Sequence, residues 1–297
     1  MSDSEDLAAR FELERARITA VAYRMLGSVS EAEDAVQETW VRLASSDARA
    51  IRNLPGWVTT AVGRVCLNVL RGRRRRGEVP LETHVPDPIV HESSSDPADS
   101  TLQHESVSLA LMVVLGSLGP DERIVFVLHD MFAVPFEELS LLVERSAPAT
   151  RQLASRARRR VENSHAVRSD SLADAPDPAL LERTVAAFFA ATQAGDLEAL
   201  VAVLHPDVVL RSDAGTGPSA LSTILHGGTV VASQAVMFGR LAPDAVPAWI
   251  NGEAGAVVVV GGRVRSVMAF SVVGGRVTEI NVLADRARLQ AVQVPQR

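Results

Sequence analysis

Residues 136–161, FEELSLLVERSAPATRQLASRARRRV, are the stretch that decides the fold of the middle of the chain. Positions 136–143 have the apolar spacing of a short helix, and Pro148 opens a basic helix that runs to Val161. Only three residues, 144–146, connect the two helices. Two helices joined by so short a turn are typical of a helix-turn-helix motif, although an ordinary helical hairpin with a basic end has the same pattern.

The basic helix of this motif has two different faces. Four residues are expected to face the core: Thr150, Leu153, Ala157 and Val161. The opposite face is polar and mostly basic, with Arg151, Gln152, Ser155, Arg158 and Arg159. In a helix-turn-helix the second helix lies in the major groove, where its first residues contact base edges and its later arginines contact phosphates. The spacing therefore favours binding of duplex DNA by this face.

The rest of the chain divides into blocks on either side of this motif. Residues 10–77 and 105–165 have helical patterns, and residues 78–104 between them are rich in Pro, Ser, Asp and His, as linkers are. A second break with two prolines covers residues 169–178. Residues 178–290 then open with helical patterns and continue as Val-rich strands, with Gly-Gly turns at 227–228, 261–262 and 274–275.

Two helices are predicted in the first part of the first block. The first covers about residues 12–26, with an apolar stripe of Phe11, Ile18, Val21, Ala22 and Met25. Ser30 and Glu33 have the spacing of a capping box for the second helix. The second helix has an apolar face of Ala32, Ala35, Val36, Trp40 and Leu43 and a polar face of Glu31, Asp34, Gln37, Glu38 and Arg42. An ordinary surface helix has the same pattern.

A third helix is predicted to start at Pro55-Gly56-Trp57. Its apolar side contains Val58, Ala61, Val62, Val65, Val69 and Leu70. The opposite side is a polar row of Thr60, Arg64, Asn68 and Arg71. Hydroxyl, guanidinium and amide groups in one row suit contacts with phosphates and base edges, and a solvated polar face is the alternative.

Charge is unevenly distributed along this acidic chain. The net charge is −6, yet all 30 basic residues are arginines. Five of them cluster at positions 71–76 and five more at positions 151–160. Two basic clusters on an acidic chain indicate local contacts with a polyanion, with a solvated helix end as the alternative for either one.

The composition also excludes several classes of protein. Cys66 is the only cysteine among 297 residues, which rules out an internal disulfide framework and a cysteine-based zinc site. No apolar run approaches the roughly 20 residues of a membrane helix. The acidic first residues lack the apolar core of a secretory signal. We therefore expect a cytoplasmic protein with no metal, no cofactor and no membrane partner.

Several segments together resemble the extracytoplasmic-function (ECF) sigma factors of bacterial RNA polymerase. AYRMLG at 22–27 and EAEDAVQETW at 31–40 resemble their polymerase-binding segment, and WVTT at 57–60 through NVLR at 68–71 resembles their promoter-melting helix. Three more segments resemble their second DNA-binding domain: LGPDER at 118–123, FEEL at 136–139 and RQLASRAR at 151–158. The resemblance covers roughly residues 10–163, in the same order and with a linker between.

The tail narrows the resemblance to one subgroup. The region from Phe188 through GDLEAL at 195–200 and HPDVVLRSD at 205–213 resembles the start of a SnoaL-like domain. The whole chain thus resembles the SigJ-like subgroup, in which such a domain follows the sigma module. The resemblance implies a multidomain fold of two all-α domains, the second a helix-turn-helix, followed by an α+β SnoaL-like cone. The implied boundaries are 10–77 for sigma domain 2, 78–104 for the linker, 105–165 for sigma domain 4 and 178–290 for a regulatory domain.

The resemblance also implies roles for individual residues. Core polymerase would contact Asp34, Gln37 and Glu38. The unpaired −10 strand would contact Arg52, Asn53, Trp57, Thr60, Arg64, Asn68 and Arg71. The −35 duplex would contact Arg145, Ser146, Arg151, Gln152, Ser155 and Arg158. Contacts between the linker and the regulatory domain would use Pro86, Asp87, Pro88, Asp213 and Asn281. The expected partners are core RNA polymerase and promoter DNA, with a small ligand of the tail and a separate inhibitor protein left open.

Some positions depart from the pattern of the family. The helix-turn-helix turn usually has Gly where Glu144 stands, so a differently shaped turn is expected. The linker motif Leu-Pro-Glu-Pro is replaced by Val-Pro-Asp-Pro at 85–88. The Asp-Gly-Gly-Gly loop of the tail is replaced by Asp-Ala-Gly-Thr-Gly at 213–217, and the terminal motif is reduced to Asn281 with Asp285 nearby.

Two other functions fit parts of the sequence. SnoaL-like domains also occur as enzymes, for which His205, Asp213 and His226 are the candidate acids and bases, although no pair among them has a spacing that demands catalysis. A one-component transcription regulator with a ligand-sensing tail is the second alternative. It would need a single DNA-binding region, whereas two basic blocks and a polymerase-binding segment favour a sigma factor.

Overall fold

The computed structural model describes residues 3–47, 51–78, 82–91, 107–164, 177–215, 222–239 and 245–292. These residues belong to two compact units. The described residues of the first unit lie within 1–79 and 114–162, and those of the second lie within 80–99, 106–113 and 163–297. Among the described helices, none has the length and apolar character needed to cross a membrane.

The first unit is built from helices. They are α1 (Asp3–Leu26), α2 (Val29–Ala44), α3 (Leu54–Arg75), α5 (Pro120–Phe126) with a π-helical continuation (Val127–Met131), α6 (Phe136–Val143) and α7 (Ala147–Asn163). Helix α4 (Leu109–Ser117) has residues in both units. The predicted capping box at Ser30 is wrong, because α2 already begins at Val29 and Ser28 is the residue with extended backbone angles before it.

Helix α3 lies at the centre of the first unit. The predicted apolar stripe of α1 is buried, and Phe11 packs against Trp40 of α2 with their ring centroids 5.1 Å apart. Helix α3 buries its predicted apolar side against α1 and α2 and a second side against α5 and α6. A Cβ atom at Gly63 would lie 2.9 Å from Leu128 Cδ1, so α3 and the helix at residues 120–131 approach closely only because this residue is glycine.

The second unit is a mixed sheet covered by helices. Its strands are β1 (Val90–His91), β2 (Leu204–Asp213), β3 (Thr223–His226), β4 (Ala245–Ile250), β5 (Glu253–Val260), β6 (Arg263–Val273) and β7 (Arg276–Leu283). In the described part of the chain they form one sheet in the order β1-β4-β5-β6-β7-β2-β3. All neighbours are antiparallel except β2 and β7, which are parallel.

Each face of this sheet has its own apolar core. Helices α8 (Pro178–Ala194), α9 (Leu197–Val203) and α10 (Gly228–Gly239) cover one face, around Phe188 and Phe270. The other face packs against Val85 of the linker, Leu109 of α4 and Leu289 of the short helix α11 (Arg286–Leu289). Residues that come before the helices at 120–163 in the chain, Val85 and Leu109, and one that comes after them, Leu289, therefore complete this core of the second unit.

Two of the three predicted Gly-Gly turns are hairpins. Gly261 and Gly262 join β5 to β6, Gly274 and Gly275 join β6 to β7, and all four have positive φ angles, as two-residue hairpin turns require. The third pair, at 227–228, instead connects β3 to the start of α10. The strands and two of the turns were predicted correctly because the valine-rich runs and the glycine pairs that form them are local features of the sequence.

The turn between α6 and α7 has a left-handed residue at the position where the family has glycine. Glu144 has φ +58° and ψ +46°. The N–H groups that follow α6 bond to the carbonyl oxygen of Ser140, including that of Arg145 at 3.0 Å. The expectation of a different turn shape was therefore wrong, because Glu144 itself adopts the left-handed conformation, which costs a residue other than glycine about 1–2 kcal/mol.

We expect Glu144→Gly to stabilise the first unit by about 1 kcal/mol or slightly less, because glycine removes the left-handed strain but has more conformational freedom when unfolded. The matched control is Glu33→Gly in the exposed middle of α2, which should destabilise by about 1 kcal/mol through lower helix propensity. Urea unfolding followed by helical circular dichroism measures both. Equal losses of stability in the two variants would contradict a strained turn.

Candidate nucleic-acid interface

A cavity of about 690 Å³ lies beside the first turns of α3. It is lined by five of the seven residues predicted to contact the −10 strand: Arg52, Asn53, Trp57, Thr60 and Arg64. Its volume falls within the roughly 300–1,000 Å³ of small-ligand pockets, which is enough for an unstacked base. The structure thus brings together side chains that the sequence spreads over 13 positions, from 52 to 64.

The start of α3 determines the shape of this cavity. Asn53 is the N-cap of the helix, and its Oδ1 accepts a hydrogen bond from the Gly56 N–H at 3.2 Å. Trp57, half-buried in the first turn, and Thr60, one turn later, lie on the same side as the exposed Arg64. A partly exposed indole ring beside a hydroxyl and a guanidinium can stack on a base and bind a phosphate.

The charge of the cavity is mixed. Arg42 lines it together with Arg52 and Arg64, and so do the carboxylates of Asp47 and Glu138. Arg42 is paired with Glu38 at 2.5 Å. Glu138 comes from α6, outside the region where the sequence predicted single-strand contacts, and periodicity alone held no signal for it.

The last two predicted −10 residues lie outside the cavity. Asn68 is exposed farther along α3. Arg71 is half-buried, and its Nε and Nη2 lie 3.1 and 3.0 Å from Asp121 Oδ1, with Nη2 also 3.4 Å from the Val143 carbonyl. The four polar residues lie along one side of α3, as predicted. The last of them, Arg71, is hydrogen-bonded to Asp121 and to the Val143 carbonyl.

The exposed face of α7 carries most of the predicted −35 residues. Arg145, Ser146, Arg151, Gln152 and Ser155 are exposed, whereas Arg158 is half-buried and its Nε lies 2.6 Å from Asp130 Oδ1. The buried row is Thr150, Ala154, Ala157 and Val161. Ala154 replaces the predicted Leu153, which is only half-buried, because the spacing 150, 154, 157, 161 follows the helical period more closely.

Carboxylates accompany the arginines of the motif. Arg145 lies 3.2 Å from Asp121, Arg151 3.7 Å from Glu137 and Arg160 3.0 Å from Glu122. The Arg151 guanidinium also lies 5.7 Å from the ring centroid of Phe136. These exposed pairs are individually weak, so a DNA phosphate can replace the carboxylates at little cost.

The predicted polymerase-binding residues form one exposed strip on α2. Asp34, Gln37 and Glu38 are all exposed, and Val41 is 63% exposed on the same face. Sequence reasoning missed Val41, although its spacing of three and seven residues from Glu38 and Asp34 would have placed it there. An apolar side chain in an acidic strip is typical of a protein-binding surface.

In the second unit, the linker is held against the sheet by Asp213 and Arg288. The Asp213 Oδ2 accepts hydrogen bonds from the Val85 N–H at 3.0 Å and from Arg288 Nη1 at 2.8 Å. Arg288 also donates to Asp87 Oδ1 through Nε at 2.8 Å and to the Val85 carbonyl through Nη2 at 2.6 Å. One guanidinium therefore joins the predicted residues Asp87 and Asp213, while Pro86 and Pro88 are buried beside them.

The Asp213 carboxyl is a strong acid in this setting. Burial by itself would raise its pKa, but hydrogen bonds from His84 and from the N–H groups of Val85 and Gly215, together with the charge of Arg288, lower the pKa to about 2. The carboxylate form is thus maintained far below neutral pH. Asp213 is committed to holding the linker.

Asn281 acts on the linker through a neighbour. Its Oδ1 accepts from Arg211 Nη1 at 3.2 Å, and its Nδ2 donates to Glu279 Oε1 at 3.0 Å. Arg211 in turn donates to the Glu82 carbonyl at 3.0 Å. The predicted residue Asn281 therefore contributes by orienting Arg211.

A second clamp, at Asn251, holds Ile89 of the linker and Val107, which follows the linker. The Asn251 side chain accepts from the Ile89 N–H at 2.9 Å and donates to the Val107 carbonyl at 3.2 Å, while its own N–H donates to the Ile89 carbonyl. Beside it, β1 pairs with β4 and forms the edge of the sheet, with Val90 opposite Ile250. The linker thus adds a strand to the sheet.

The chain has informative relatives. The family model Sigma-70 region 2 matches residues 11–76. The ECF RNA polymerase sigma factor SigJ of Mycobacterium tuberculosis is 38% identical over 280 residues, which cover 92% of this chain and 87% of that protein. The probable ECF RNA polymerase sigma factor SigI of the same organism is 32% identical over 306 residues, covering 99% and 98%.

The crystal structure of Mycobacterium tuberculosis SigJ has the same fold, with a TM-score of 0.76 at 33% identity over 97% of this chain and all of that one. The chain belongs to the ECF RNA polymerase sigma factors. The predicted fold class and the SigJ-like resemblance are both confirmed. The helical sigma module lies in the first unit, and the SnoaL-like sheet with its helices lies in the second.

The sigma factor holds its linker with residues that sequence reasoning missed. Arg288, Arg211 and Asn251 make the contacts, and each bonds to a linker residue more than 120 positions away, such as Asp87, 201 residues from Arg288. No local pattern carries a signal for such partners. The carboxylates were found because their family motif includes them. Arg288 stands outside the quoted motifs, and Arg211 lies within the stretch at 205–213 but was assigned no role.

We expect Asp213→Asn to make the sigma factor less stable by about 1–2 kcal/mol at neutral pH, because the folded carboxyl has a pKa below that of an unfolded Asp. The stabilisation that the Asp213 carboxylate provides to the folded protein is present above about pH 4 and is lost as the pH falls toward 2. Chemical unfolding of the two proteins between pH 3 and 7 measures this difference. A difference that stays constant with pH, or one matched by the exposed control Asp207→Asn, would contradict the assignment.

Proposed function

We propose that this sigma factor acts in the cytoplasm, binds core RNA polymerase through the exposed strip of α2 and directs it to promoters through α3 and α7. The cavity beside α3 carries the proposal, since an indole, a hydroxyl and three arginines line a space that is large enough to admit a base. The strip contains Asp34, Gln37, Glu38 and Val41. The −35 contacts are those of the exposed face of α7.

Each DNA element is recognised by different chemistry. An unpaired −10 base must leave the stack, which costs a few kcal/mol, and stacking on Trp57 with phosphate contacts to Arg52 and Arg64 offsets this cost. The −35 element stays paired, so Arg151 and Gln152 contact base edges in the major groove. Arginines farther along α7 contact phosphates and add affinity without sequence preference.

The SnoaL-like unit modulates this activity through the linker. Asp213, Arg288 and Asn251 hold residues 85–89, which belong to the linker between the two predicted DNA-binding regions. Deleting the tail would also uncover Val85 and Leu109, which belong to its apolar core. Point substitutions in the clamp therefore test regulation more cleanly than truncation does.

The enzyme alternative lacks a supporting site in the described residues. Asp213 is bound to Arg288, the His205 Nδ1 accepts a hydrogen bond from the Asp207 N–H in its own turn, and His226 is exposed at the edge strand β3. The one-component regulator would leave the exposed strip of α2 without a purpose. Promoter-specific transcription that requires core polymerase separates the sigma factor from both alternatives.

Replacing the indole of Trp57 tests the −10 cavity. We expect Trp57→Ala to reduce promoter opening by core polymerase at least about fivefold, because loss of a base–aromatic stack costs about 1–3 kcal/mol. Trp57→Phe keeps a ring and should retain most opening. Fluorescence of 2-aminopurine in the −10 strand measures opening. Unchanged opening by Trp57→Ala, with normal binding to core polymerase, would exclude this cavity as the base site.

Replacing Arg151 tests the −35 contact. We expect Arg151→Ala to relax the −35 sequence preference by about tenfold at one base pair, since a bidentate base contact discriminates by about 1–3 kcal/mol. Arg159→Ala is the control, because loss of a phosphate contact weakens transcription from all sequences alike. Transcription in vitro from a pool of promoters with randomised −35 positions gives both results. Identical sequence profiles for wild type and Arg151→Ala would refute the assignment.

A further inference from the structure

We infer that Asp121 is a latch that joins the −10 helix to the −35 turn and keeps the free sigma factor closed. The inference rests on the proposed DNA-binding roles of Arg71 and Arg145. One carboxylate serves both arginines: Oδ1 accepts from Arg71 Nε and Nη2 at 3.1 and 3.0 Å, and Oδ2 accepts from Arg145 Nη2 at 3.2 Å. Arg71 lies at the end of the polar row of α3, and Arg145 lies in the helix-turn-helix turn.

The latch lies on an interface that buries charged groups. Arg123 is 5% exposed and its Nε donates to the Arg24 carbonyl at 3.2 Å, at the end of α1. The Arg24 guanidinium lies 4.8 Å from the ring centroid of Phe132. Gly63 of α3 packs against Leu128. The helices at residues 120–143 therefore pack directly on α1 and α3.

This packing is incompatible with binding both promoter elements at once. Elements centred near −10 and −35 are about 25 base pairs apart, or about 85 Å at 3.4 Å per base pair. Arg71 and Arg145 both lie within hydrogen-bonding distance of one carboxylate, so their guanidinium groups are neighbours. The contact must break before the two arginines can lie on their separate DNA elements.

The latch also occupies groups that DNA needs. A carboxylate presents two oxygens to a guanidinium in the same fork geometry that a phosphate does. Asp121 therefore takes the place of DNA at both arginines, and Glu138 of α6 lines the −10 cavity in the same closed arrangement. Opening exchanges one shared carboxylate for phosphates on two separate elements, so promoter DNA itself favours the open form.

The matched control for the latch is Asp130. Its Oδ1 lies 2.6 Å from Arg158 Nε, so Asp130→Asn removes the same charge beside a basic residue of α7. Both partners of that pair lie within residues 120–163, however, and neither belongs to α1 or α3. Asp121→Asn and Asp130→Asn thus differ in whether the lost pair joins the two DNA-binding elements.

Distance measurements can follow the latch in the full-length protein. Fluorophores are attached to cysteines introduced at the exposed positions Glu33 and Glu162. Native Cys66 is buried, and burial raises the pKa of its thiol to about 12, so it does not compete for the label. Energy transfer is measured in the free protein over a range of salt concentrations and again during titration with promoter DNA. This DNA is forked, with a duplex −35 element and a single-stranded −10 element. Its sequence is chosen as one from which the wild-type protein directs transcription.

We expect wild type to lose energy transfer as salt or forked DNA is added, because the latch is ionic and competes with phosphate. Asp121→Asn should start with lower transfer, respond less to salt and bind the forked DNA about threefold to tenfold more tightly, since exposed and half-buried pairs are weak. Asp130→Asn should keep the wild-type energy transfer and salt response, because the pair that it loses does not join the two DNA-binding elements. Gly63→Met, which crowds Leu128 without changing charge, should also lower the initial transfer.

The outcomes separate the latch from the proposed function. Promoter-specific transcription by wild type, with the same transfer and the same affinity for forked DNA in Asp121→Asn as in Asp130→Asn, would overturn the latch and leave the sigma function intact. Failure of wild type to direct specific transcription would overturn the proposed function and with it the basis of the latch. A salt-independent transfer in wild type would overturn the ionic latch as well.

Discussion

The pairing of guanidinium groups with carboxylates and main-chain carbonyls is the interaction on which each unit depends. All side-chain cations of this chain other than histidine are arginines, whose planar forks can bond two acceptors at once. Arg288 uses this property to join Asp87 and Asp213, while Arg123 of the helix at 120–131 donates through Nε to the Arg24 carbonyl at the end of α1. Burial lowers the pKa of Arg123 to about 10, which still leaves it charged at neutral pH. A buried charge without such partners would destabilise the fold.

The same chemistry serves promoter recognition. Guanidinium groups that donate to carboxylates inside the protein also fit phosphates and guanine edges, so one residue type suits both folding and the proposed DNA contacts. An arginine that is paired with a carboxylate in the free protein can bind DNA only after a phosphate or a base edge has replaced that carboxylate. The acidic net charge of the chain is therefore compatible with DNA binding: its carboxylates lie beside the arginines of the DNA-binding surfaces and moderate their strength.

The linker is part of the regulatory fold rather than a tether. It adds a short strand to the sheet edge, contributes Val85 to an apolar core and accepts three clamps from Arg211, Asn251 and Arg288. A segment held in this way has a defined position on the sheet, which a flexible linker lacks. The proposed regulation by the SnoaL-like sheet relies on this attachment of the linker and needs no contact between the sheet and DNA.

The sequence by itself determined the order of the domains, the helix-turn-helix, the hairpins of the sheet and the family. These features follow from periodicity, turn residues and contiguous motifs, all of which act over a few positions. It also singled out five residues that line the cavity beside α3, because Arg52, Asn53, Trp57, Thr60 and Arg64 lie within one loop and three helical turns. The left-handed conformation of Glu144, at a position where glycine was expected, became visible only in the structure.

Tertiary structure alone decided which charges pair. Arg71 and Asp121 are 50 positions apart, and Arg288 and Asp87 are 201 apart. Pairing at such distances depends on how helices pack and how strands align, and the free energy of an ion pair depends on the burial that this packing creates. Local sequence contains neither quantity, so the arginines were readable as basic clusters while their partners, and hence the closed form of the sigma module, were not.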